Sequence, residues 1–325
     1  MKCVQIAQRK VFPTVLSGNK DVSKLEKVFP DELLELFRPD EDQIILRQVI
    51  TKRVKIFPEE EHSPLYRYYT DYPMYYPPSN IMDYIEEHGR MDPTQAIPAQ
   101  KFTSLLDAQG YNEREIGYCL FPDGSGYVAA YGIRPQYITD EMERWYRRWC
   151  KEQSHAAVYG HGNLRYKIAN PADHFDSHYV NHMDDLLGTY YRRSIDLGNG
   201  DRQRQIIRHS FSLEDFGVDA DRLAALEKQG CKCGGRGYFE TFDVPGTTLC
   251  LSVTRPCPLG GTEFRSRKWL GWRPVGGMLV RDPYTKCTEE YLKKLLIHTI
   301  AGRMHLYSFL HELYQEYHDL PTDAD

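Results

Sequence analysis

The chain has 325 residues, of which 41% are hydrophobic and 27% charged, with a formal net charge of −5. This length suits one large domain or two, and so mild a charge argues against nucleic acid as the main partner. Neither a membrane span of about 18 apolar residues nor a signal peptide is predicted. Eight dispersed cysteines are typical of reduced thiols, so a cytoplasmic protein is expected.

Residues 1–100 are predicted to form a small, mainly helical N-terminal domain. Short helices are expected at Asp31–Phe37 and Ile81–His88. The segment Ser63–Ser79 between them holds six tyrosines and four prolines. Such a segment either lines a site for an aromatic ligand or is a linker whose rings pack on the neighbouring domain. The linker is the favoured interpretation.

Residues 101–325 are predicted to form the second domain. Tyr118–Tyr131 has the pattern of strand, turn and strand, and Thr139 opens a helix that carries Trp145 and Trp149. Further strands are expected at 205–211, 237–244, 248–255, 263–272 and 278–281. A long helix follows from Thr288, its predicted cap, to residue 317. The fold class is therefore α+β: a curved antiparallel sheet around a long C-terminal helix.

One stripe of the C-terminal helix combines polar and apolar residues. Its members follow each other by three or four positions: Leu295, His298, Gly302, His305 and Phe309. Two imidazoles on such a stripe indicate a polar pocket facing the interior. A glycine inside a helix costs about 1 kcal/mol relative to alanine, and close approach of a ligand is one feature that offsets this cost.

Three other motifs favour structural interpretations. Cys231 and Cys233 lack a second pair at the spacing of a zinc ribbon. Gly124–Gly126 is a hairpin turn and not a nucleophile elbow. Gly230–Gly237 lacks the lysine of a phosphate-binding loop.

Three histidines, His174, His178 and His182, recur every four residues. On a helix they would share one face and bind a metal. Asn170 and Pro171 just upstream predict a loop instead, so surface histidines are the favoured interpretation.

Several segments occur in the order found in the diacetylphloroglucinol hydrolase family, which includes phloretin hydrolase. The chain resembles this family at Tyr118–Gly126, Leu164–His174, Gly260–Gly271, the Trp145/Trp149 helix and His298, over roughly residues 100–320. The resemblance implies a helix-grip (Bet v 1-like) domain, a small helical N-terminal domain and a homodimer.

The resemblance also implies a chemistry. Characterised members use zinc, held by two histidines and two glutamates, to hydrolyse a carbon–carbon bond between an acyl group and a phenolic ring. His174 and His298 match the histidines, and Tyr166 matches a tyrosine that helps to hold the substrate. The glutamates are not matched, since Ile195 and Gly302 stand at their positions.

Other positions depart from the family as well. Ser252 stands near a family histidine, and Lys268 replaces an aromatic residue. Together with these departures, the resemblance implies catalytic roles for Tyr166, His174, His298 and Lys268, without a metal or other cofactor. It implies substrate-binding roles for Ser252, Arg265, Trp269, Gly302, His305 and Asp196.

These departures favour a metal-independent enzyme of natural-product biosynthesis. The expected reaction is similar to that of fungal hetero-Diels–Alderases, which join a tropolone quinone methide to a terpene alkene. In this interpretation Gly302 opens space for a bulky substrate. Two alternatives stay open: a zinc-dependent carbon–carbon hydrolase with substitute ligands such as Asp196 or His305, and a non-catalytic carrier of small molecules.

Overall fold

The computed structural model of the protein describes residues 2–7, 30–37, 49–54, 60–70, 79–106, 110–156, 164–171, 173–179, 190–195, 197, 203–208, 212–241 and 246–320. Within these ranges the helices are α1 (Asp31–Phe37), α2 (Arg67–Thr70), α3 (Ser79–His88), α4 (Asp140–Ala156), α5 (Leu164–Lys167), α6 (Ala220–Lys228) and α7 (Glu289–Tyr317). Short 3-10 helices lie at Glu60–His62, Pro64–Tyr66, Ala99–Leu106 and Glu214–Phe216.

The described strands are β1 (Lys2–Ala7), β2 (Val49–Val54), β3 (Gly117–Leu120), β4 (Gly126–Arg134), β5 (His174–Tyr179), β6 (Tyr190–Ile195), β7 (Gln203–Arg208), β8 (Lys232–Thr241), β9 (Gly246–Pro256), β10 (Thr262–Leu270), β11 (Trp272–Val275) and β12 (Met278–Arg281). Eight of them form one antiparallel sheet in the order β3-β4-β10-β9-β8-β7-β6-β5. β1 pairs with β2, and β11 with β12. Helices combined with an antiparallel sheet confirm the α+β class.

The two faces of the large sheet carry different residues because side chains alternate along a strand. On one face, Val128 of β4 belongs to the apolar cluster that contains Leu296 of α7. On the other face, Tyr127 clusters with Phe102 of the 3-10 helix. The long C-terminal helix and the 3-10 segment therefore cover opposite sides of the sheet.

The C-terminal helix forms as its sequence predicts. The Thr288 side chain accepts a hydrogen bond from the Tyr291 backbone nitrogen at 3.2 Å, and Glu289 and Glu290 occupy the first turn. These features satisfy and complement the exposed N–H groups of the helix start. His298 and His305 are both buried, so the predicted stripe does face the interior.

Other sequence predictions have mixed outcomes. The helices at Asp31–Phe37 and within Ser79–His88 are confirmed. Strands β5 and β6 were not predicted, and the pairing of β1 with β2 shows that the first 100 residues are not wholly helical. No helix in the described ranges has the length and apolar character needed to cross a membrane.

Candidate functional site

Tyr166 and His174 stand at the two ends of the connection from α5 to β5. Their rings stack with centroids 4.0 Å apart and planes 2° apart. Nδ1 of His174 lies 2.9 Å from the backbone carbonyl oxygen of Tyr166. Because a carbonyl oxygen only accepts hydrogen bonds, Nδ1 carries the proton, and the lone pair of the neutral ring is on Nε2.

His298 of α7 pairs with Asp173, the residue just before His174. Nδ1 of His298 lies 2.9 Å from Oδ2 of Asp173, and the two side chains are only 9% and 6% exposed. The carboxylate accepts the Nδ1 proton, which again leaves the lone pair of a neutral ring on Nε2. It would also stabilise the imidazolium that forms if Nε2 accepts a proton.

Asn170 holds this carboxylate in place. Its amide nitrogen lies 3.3 Å from Asp173 Oδ2 and 3.2 Å from His298 Nδ1. The backbone carbonyl oxygen of Asn170 accepts hydrogen bonds from the backbone nitrogens of Asp173 and His174, at 3.0 and 2.8 Å. The tight turn that Asn170 and Pro171 predict is therefore present, and it carries both Asp173 and His174 towards α7.

The five residues Tyr166, Asn170, Asp173, His174 and His298 form what we term the histidine cluster. The rings of His174 and His298 have centroids 5.4 Å apart, tilted by 59°. The structure thus brings three predicted catalytic residues together and adds two that were not predicted. The less favoured alternative, a helix with His174 and His178 on one face, does not form, since both residues lie on strand β5. His182 lies outside the described residues.

The two positions at which the resemblance places zinc-binding glutamates do lie beside the histidines. Ile195 of β6 is the cross-strand partner of His174 and is fully buried. Gly302 follows His298 by one helical turn. A Cβ atom at Gly302 would lie 3.4 Å from Nδ2 of Asn170. Asn170 therefore lies beside the glycine, and the role of Gly302 in accommodating a bulky substrate stays a prediction.

The described residues do not complete a catalytic zinc site. Such a site needs about three protein ligands and an open position. Imidazoles whose Nδ1 is held by an oxygen acceptor are suited to bind a metal through Nε2, and His174 and His298 have this arrangement. However, no three His, Cys, Asp or Glu side chains in the described part of the chain are grouped to hold a metal. Asp196, one proposed substitute ligand, lies outside it.

Lys268 and Ser252 lie on the face of the sheet that α7 covers. The Lys268 ammonium donates a hydrogen bond to Oγ1 of Thr299, the residue after His298. Ser252 of β9 is paired with Ser266 of β10, and their hydroxyl oxygens are 3.1 Å apart. Both residues are therefore on the same side of the sheet as the histidine cluster. The catalytic role of Lys268 and the substrate-binding role of Ser252 stay predictions.

Arg265 and Trp269 point to the opposite face. Arg265 donates to both carboxylate oxygens of Glu115, at 3.1 and 2.7 Å. Trp269 donates its indole N–H to the Ile97 carbonyl oxygen at 2.7 Å. These contacts tie the sheet to the segments that cover its other side. Both residues therefore lie on the face away from α7, opposite to Lys268, because successive residues of a strand point to opposite faces. Their role in substrate binding stays a prediction.

His305 is fully buried and packs its ring against Phe309, with centroids 5.2 Å apart. Burial lowers the pKa of His305 to about 3, against the opposing effect of hydrogen bonds with the backbone of Ile168 and Tyr68. The ring is therefore neutral at ordinary pH. His305 serves the packing of α7 through its contact with Phe309. A direct role in substrate binding stays a prediction.

A family model described as the DAPG hydrolase PhiG domain matches residues 97–315, about two thirds of the chain. No curated protein matches the sequence significantly. The match includes every member of the histidine cluster. The chain therefore belongs to the DAPG hydrolase family.

Proposed function

We propose that this member of the DAPG hydrolase family cleaves the carbon–carbon bond between an acyl group and a phenolic ring by acid–base catalysis. The observation that carries the proposal is the Asp173–His298 pair, with the His174 ring 5.4 Å from that of His298. A buried imidazole whose Nδ1 donates to a carboxylate is a suitable general base, and general acid–base catalysis contributes roughly 100- to 10,000-fold to a rate.

The proton inventory of this reaction matches the cluster. Nε2 of His298 takes a proton from water as its oxygen attacks the acyl carbon. The bond from that carbon to the ring then breaks, and its electron pair stays on the ring carbon. Return of the proton to the ring carbon gives a carboxylic acid and the deacylated phenol. We propose that Tyr166, stacked on His174, holds the phenolic ring. Lys268 donates a hydrogen bond to an oxygen of the substrate.

Zinc would polarise the acyl carbonyl if it were bound at the two histidines. Because the described residues provide two ligands and not three, the steps above assign every proton to the chain's own groups. We propose cofactor independence for this reason. The helix-grip arrangement, the cytoplasmic location and the homodimer are likewise proposals that follow from the resemblance and the composition.

A second candidate is the hetero-Diels–Alder cycloaddition. Ile195 and Gly302 favour it, since neither can ligate a metal although both adjoin the two histidines. Neutral His174 would remove a phenolic proton, while His298, as an imidazolium stabilised by Asp173, would protonate a leaving hydroxyl. These two transfers yield a quinone methide and water. Addition of a terpene alkene then forms the new ring. The different Nδ1 partners of His174 and His298, a carbonyl and a carboxylate, suit such opposite roles.

The experiment is a product assay with purified full-length protein of measured metal content. An acylated phloroglucinol is supplied with and without a chelator, and separately a quinone methide precursor with an alkene. We expect deacylation that survives the chelator and falls at least 100-fold in His298→Asn. His318→Gln, an exposed histidine at the end of the same helix, is the matched control.

Each other outcome points elsewhere. Stoichiometric metal and activity lost to the chelator would establish the zinc hydrolase. Cycloadduct without deacylation would favour the second candidate. Tight binding of the phenol without any turnover would identify a carrier.

A further inference from the structure

A buried ion pair joins the histidine cluster to a part of the chain outside the family match. Lys167 Nζ lies 2.7 Å from both carboxylate oxygens of Glu60, and the side chains are 1% and 6% exposed. Lys167 belongs to α5 within the matched residues 97–315, whereas Glu60 precedes them. A charge pair this deeply buried offsets its desolvation cost only with good geometry. Removal of one partner is therefore strongly destabilising.

Lys167 is next to the residue whose carbonyl orients His174. Helix α5, a single turn at Leu164–Lys167 that we call the α5 turn, is held by other segments on both sides of Tyr166. On one side, Arg165 donates to the Trp149 carbonyl oxygen at 2.9 Å and lies 4.4 Å from the centre of the Trp149 ring. On the other side, Lys167 is held by Glu60. The Tyr166 carbonyl between these anchors is the acceptor for His174 Nδ1.

A second contact links the same N-terminal segment to α7. Tyr68 is fully buried, and its ring centroid is 5.2 Å from that of Phe309. Its hydroxyl donates to the carboxylate of Glu316 at 2.9 Å. Residues 60–68 therefore touch both elements that supply the histidine cluster, α7 and the α5 turn.

We propose that Glu60 is a positioning residue for His174 and that the segment 60–68 is an integral part of the site. Glu60 fixes Lys167, Lys167 fixes the α5 turn, and the Tyr166 carbonyl in that turn fixes the tautomer and orientation of His174. The effect on turnover rests on the proposed function, whereas the effect on His174 does not.

The physical consequence of losing Glu60 is local. A neutral side chain at position 60 removes the negative charge that lies 2.7 Å from the buried Lys167 ammonium, and the resulting cost is relieved if Lys167 moves towards water. Such a movement carries the adjoining Tyr166 carbonyl away from His174 Nδ1. A displacement of about 1 Å in a catalytic group can lower a rate about 100-fold.

The test compares Glu60→Gln with the wild type by ¹⁵N NMR of the histidine rings in the full chain. We expect the His174 signals to change from the pure Nδ1–H tautomer to a mixture of tautomers. In the acylphenol assay kcat should fall at least about tenfold, while KM changes less than about threefold. Unchanged His174 signals in folded Glu60→Gln protein would overturn the proposal.

Two further variants separate positioning from general destabilisation. Glu263→Gln breaks another buried ion pair, with Arg255 on the other face of the sheet, and should leave the His174 signals unchanged. The double variant Glu60→Leu/Lys167→Met replaces both charges by apolar groups, a change that proteins often tolerate. It should restore the wild-type tautomer, and it decides the question if Glu60→Gln does not fold. A folded double variant with mixed tautomers contradicts the proposal.

The two hypotheses can fail separately. Wild-type protein that cleaves no acylated phenol contradicts the proposed function, and the NMR comparison still decides the role of Glu60. Wild-type activity combined with unchanged kcat in Glu60→Gln contradicts the inference alone.

Discussion

The two faces of strand β10 both carry buried polar groups, but these groups have different partners. On the face away from α7, Arg265 and Arg267 share the carboxylate of Glu115, and all three side chains are at most 2% exposed. On the face towards α7, Lys268 bonds to Thr299, which adjoins His298. The first face carries permanent charges of opposite sign, two arginines on one carboxylate. The second face adjoins histidines, which can gain or lose a proton.

The carboxylates of the two regions show the same difference. Burial raises the pKa of Glu115, but the charges of Arg267 and Arg265 outweigh it and lower this pKa to about 2. Since arginine does not lose its proton, Glu115 stays an anion and serves the fold. Asp173 has a histidine as its partner, and an imidazole exchanges protons near neutral pH. Buried charge therefore indicates chemistry only where one partner can titrate.

The largest expected effect comes from Glu115, Arg265 and Arg267 on the face away from α7, which we term the architectural region. The histidine cluster is the chemical region. Glu115→Gln leaves Arg265 and Arg267 buried without a counter-charge, so the free energy of unfolding should fall by about 3–5 kcal/mol. Urea denaturation at pH 7 measures it. Glu290→Gln, which removes an exposed pair with Lys294 and one acidic residue of the first turn of α7, should lower this free energy only slightly, because solvent screens both interactions. A loss for Glu115→Gln as small as that of Glu290→Gln would show that the described ion pairs do not stabilise the fold.

The second prediction addresses the histidine cluster. Asp173→Asn keeps the shape of the side chain but removes the charge that stabilises a His298 imidazolium. We expect kcat for the proposed deacylation to fall about 100- to 10,000-fold, with the protein still folded by circular dichroism. His318→Gln should retain full activity. Wild-type kcat in Asp173→Asn would remove the Asp173–His298 pair from the mechanism.

The sequence could predict the periodic elements but not all of the site. The cap at Thr288 and the spacing of His298 and His305 follow from local rules, and α7 agrees with them. The pairing of Asp173 with His298 depends on a fold that brings residues 125 positions apart into contact. Its only sequence signal was the tight turn at Asn170 and Pro171, which places Asp173 next to His174.

Strand β10 shows a second limit of predicting the site from the sequence. The resemblance implies site roles for Arg265, Lys268 and Trp269, yet the two-residue period of a strand places Lys268 opposite to the other two. Glu115 also lies 150 residues from Arg265, and no local pattern predicts that contact. The period of two, by contrast, is visible in the sequence and separates Lys268 from Arg265 and Trp269.

The third prediction concerns pH. His305 stays neutral in the fold down to about pH 3, whereas in the unfolded chain it binds a proton below its ordinary pKa of 6.5. Stability should therefore fall as the pH drops below 6.5, by about 1.4 kcal/mol per unit, with no contribution above that pH. Glu115 adds a further loss as the pH falls from 4.5 towards 2.

Urea denaturation between pH 7 and 5 isolates the His305 contribution. His305→Gln cannot bind the proton, so the wild type should lose about 2 kcal/mol more than the variant over this range. Parallel pH profiles for the two proteins would contradict a buried neutral His305. Since both are compared above pH 4.5, Glu115 does not contribute to the difference.

The smallest effect is expected at Gly302. Gly302→Ala should raise the free energy of unfolding by up to about 1 kcal/mol, because alanine favours a helix interior. Its Cβ would lie 3.4 Å from Nδ2 of Asn170, so Asn170 must move slightly, and with it the contacts to Asp173. We therefore expect kcat to fall about threefold while the protein becomes more stable.

Ser308→Ala, later in the same helix, gives a smaller gain in helix propensity and removes the hydrogen bond from Ser308 to the His305 carbonyl oxygen. It should leave kcat unchanged. If Gly302→Ala instead raised kcat, or improved KM for a smaller substrate, the space beside Gly302 would belong to the substrate. Asn170 would then be a substrate contact and not a support for Asp173, and the boundary between the architectural and chemical regions would move by one residue.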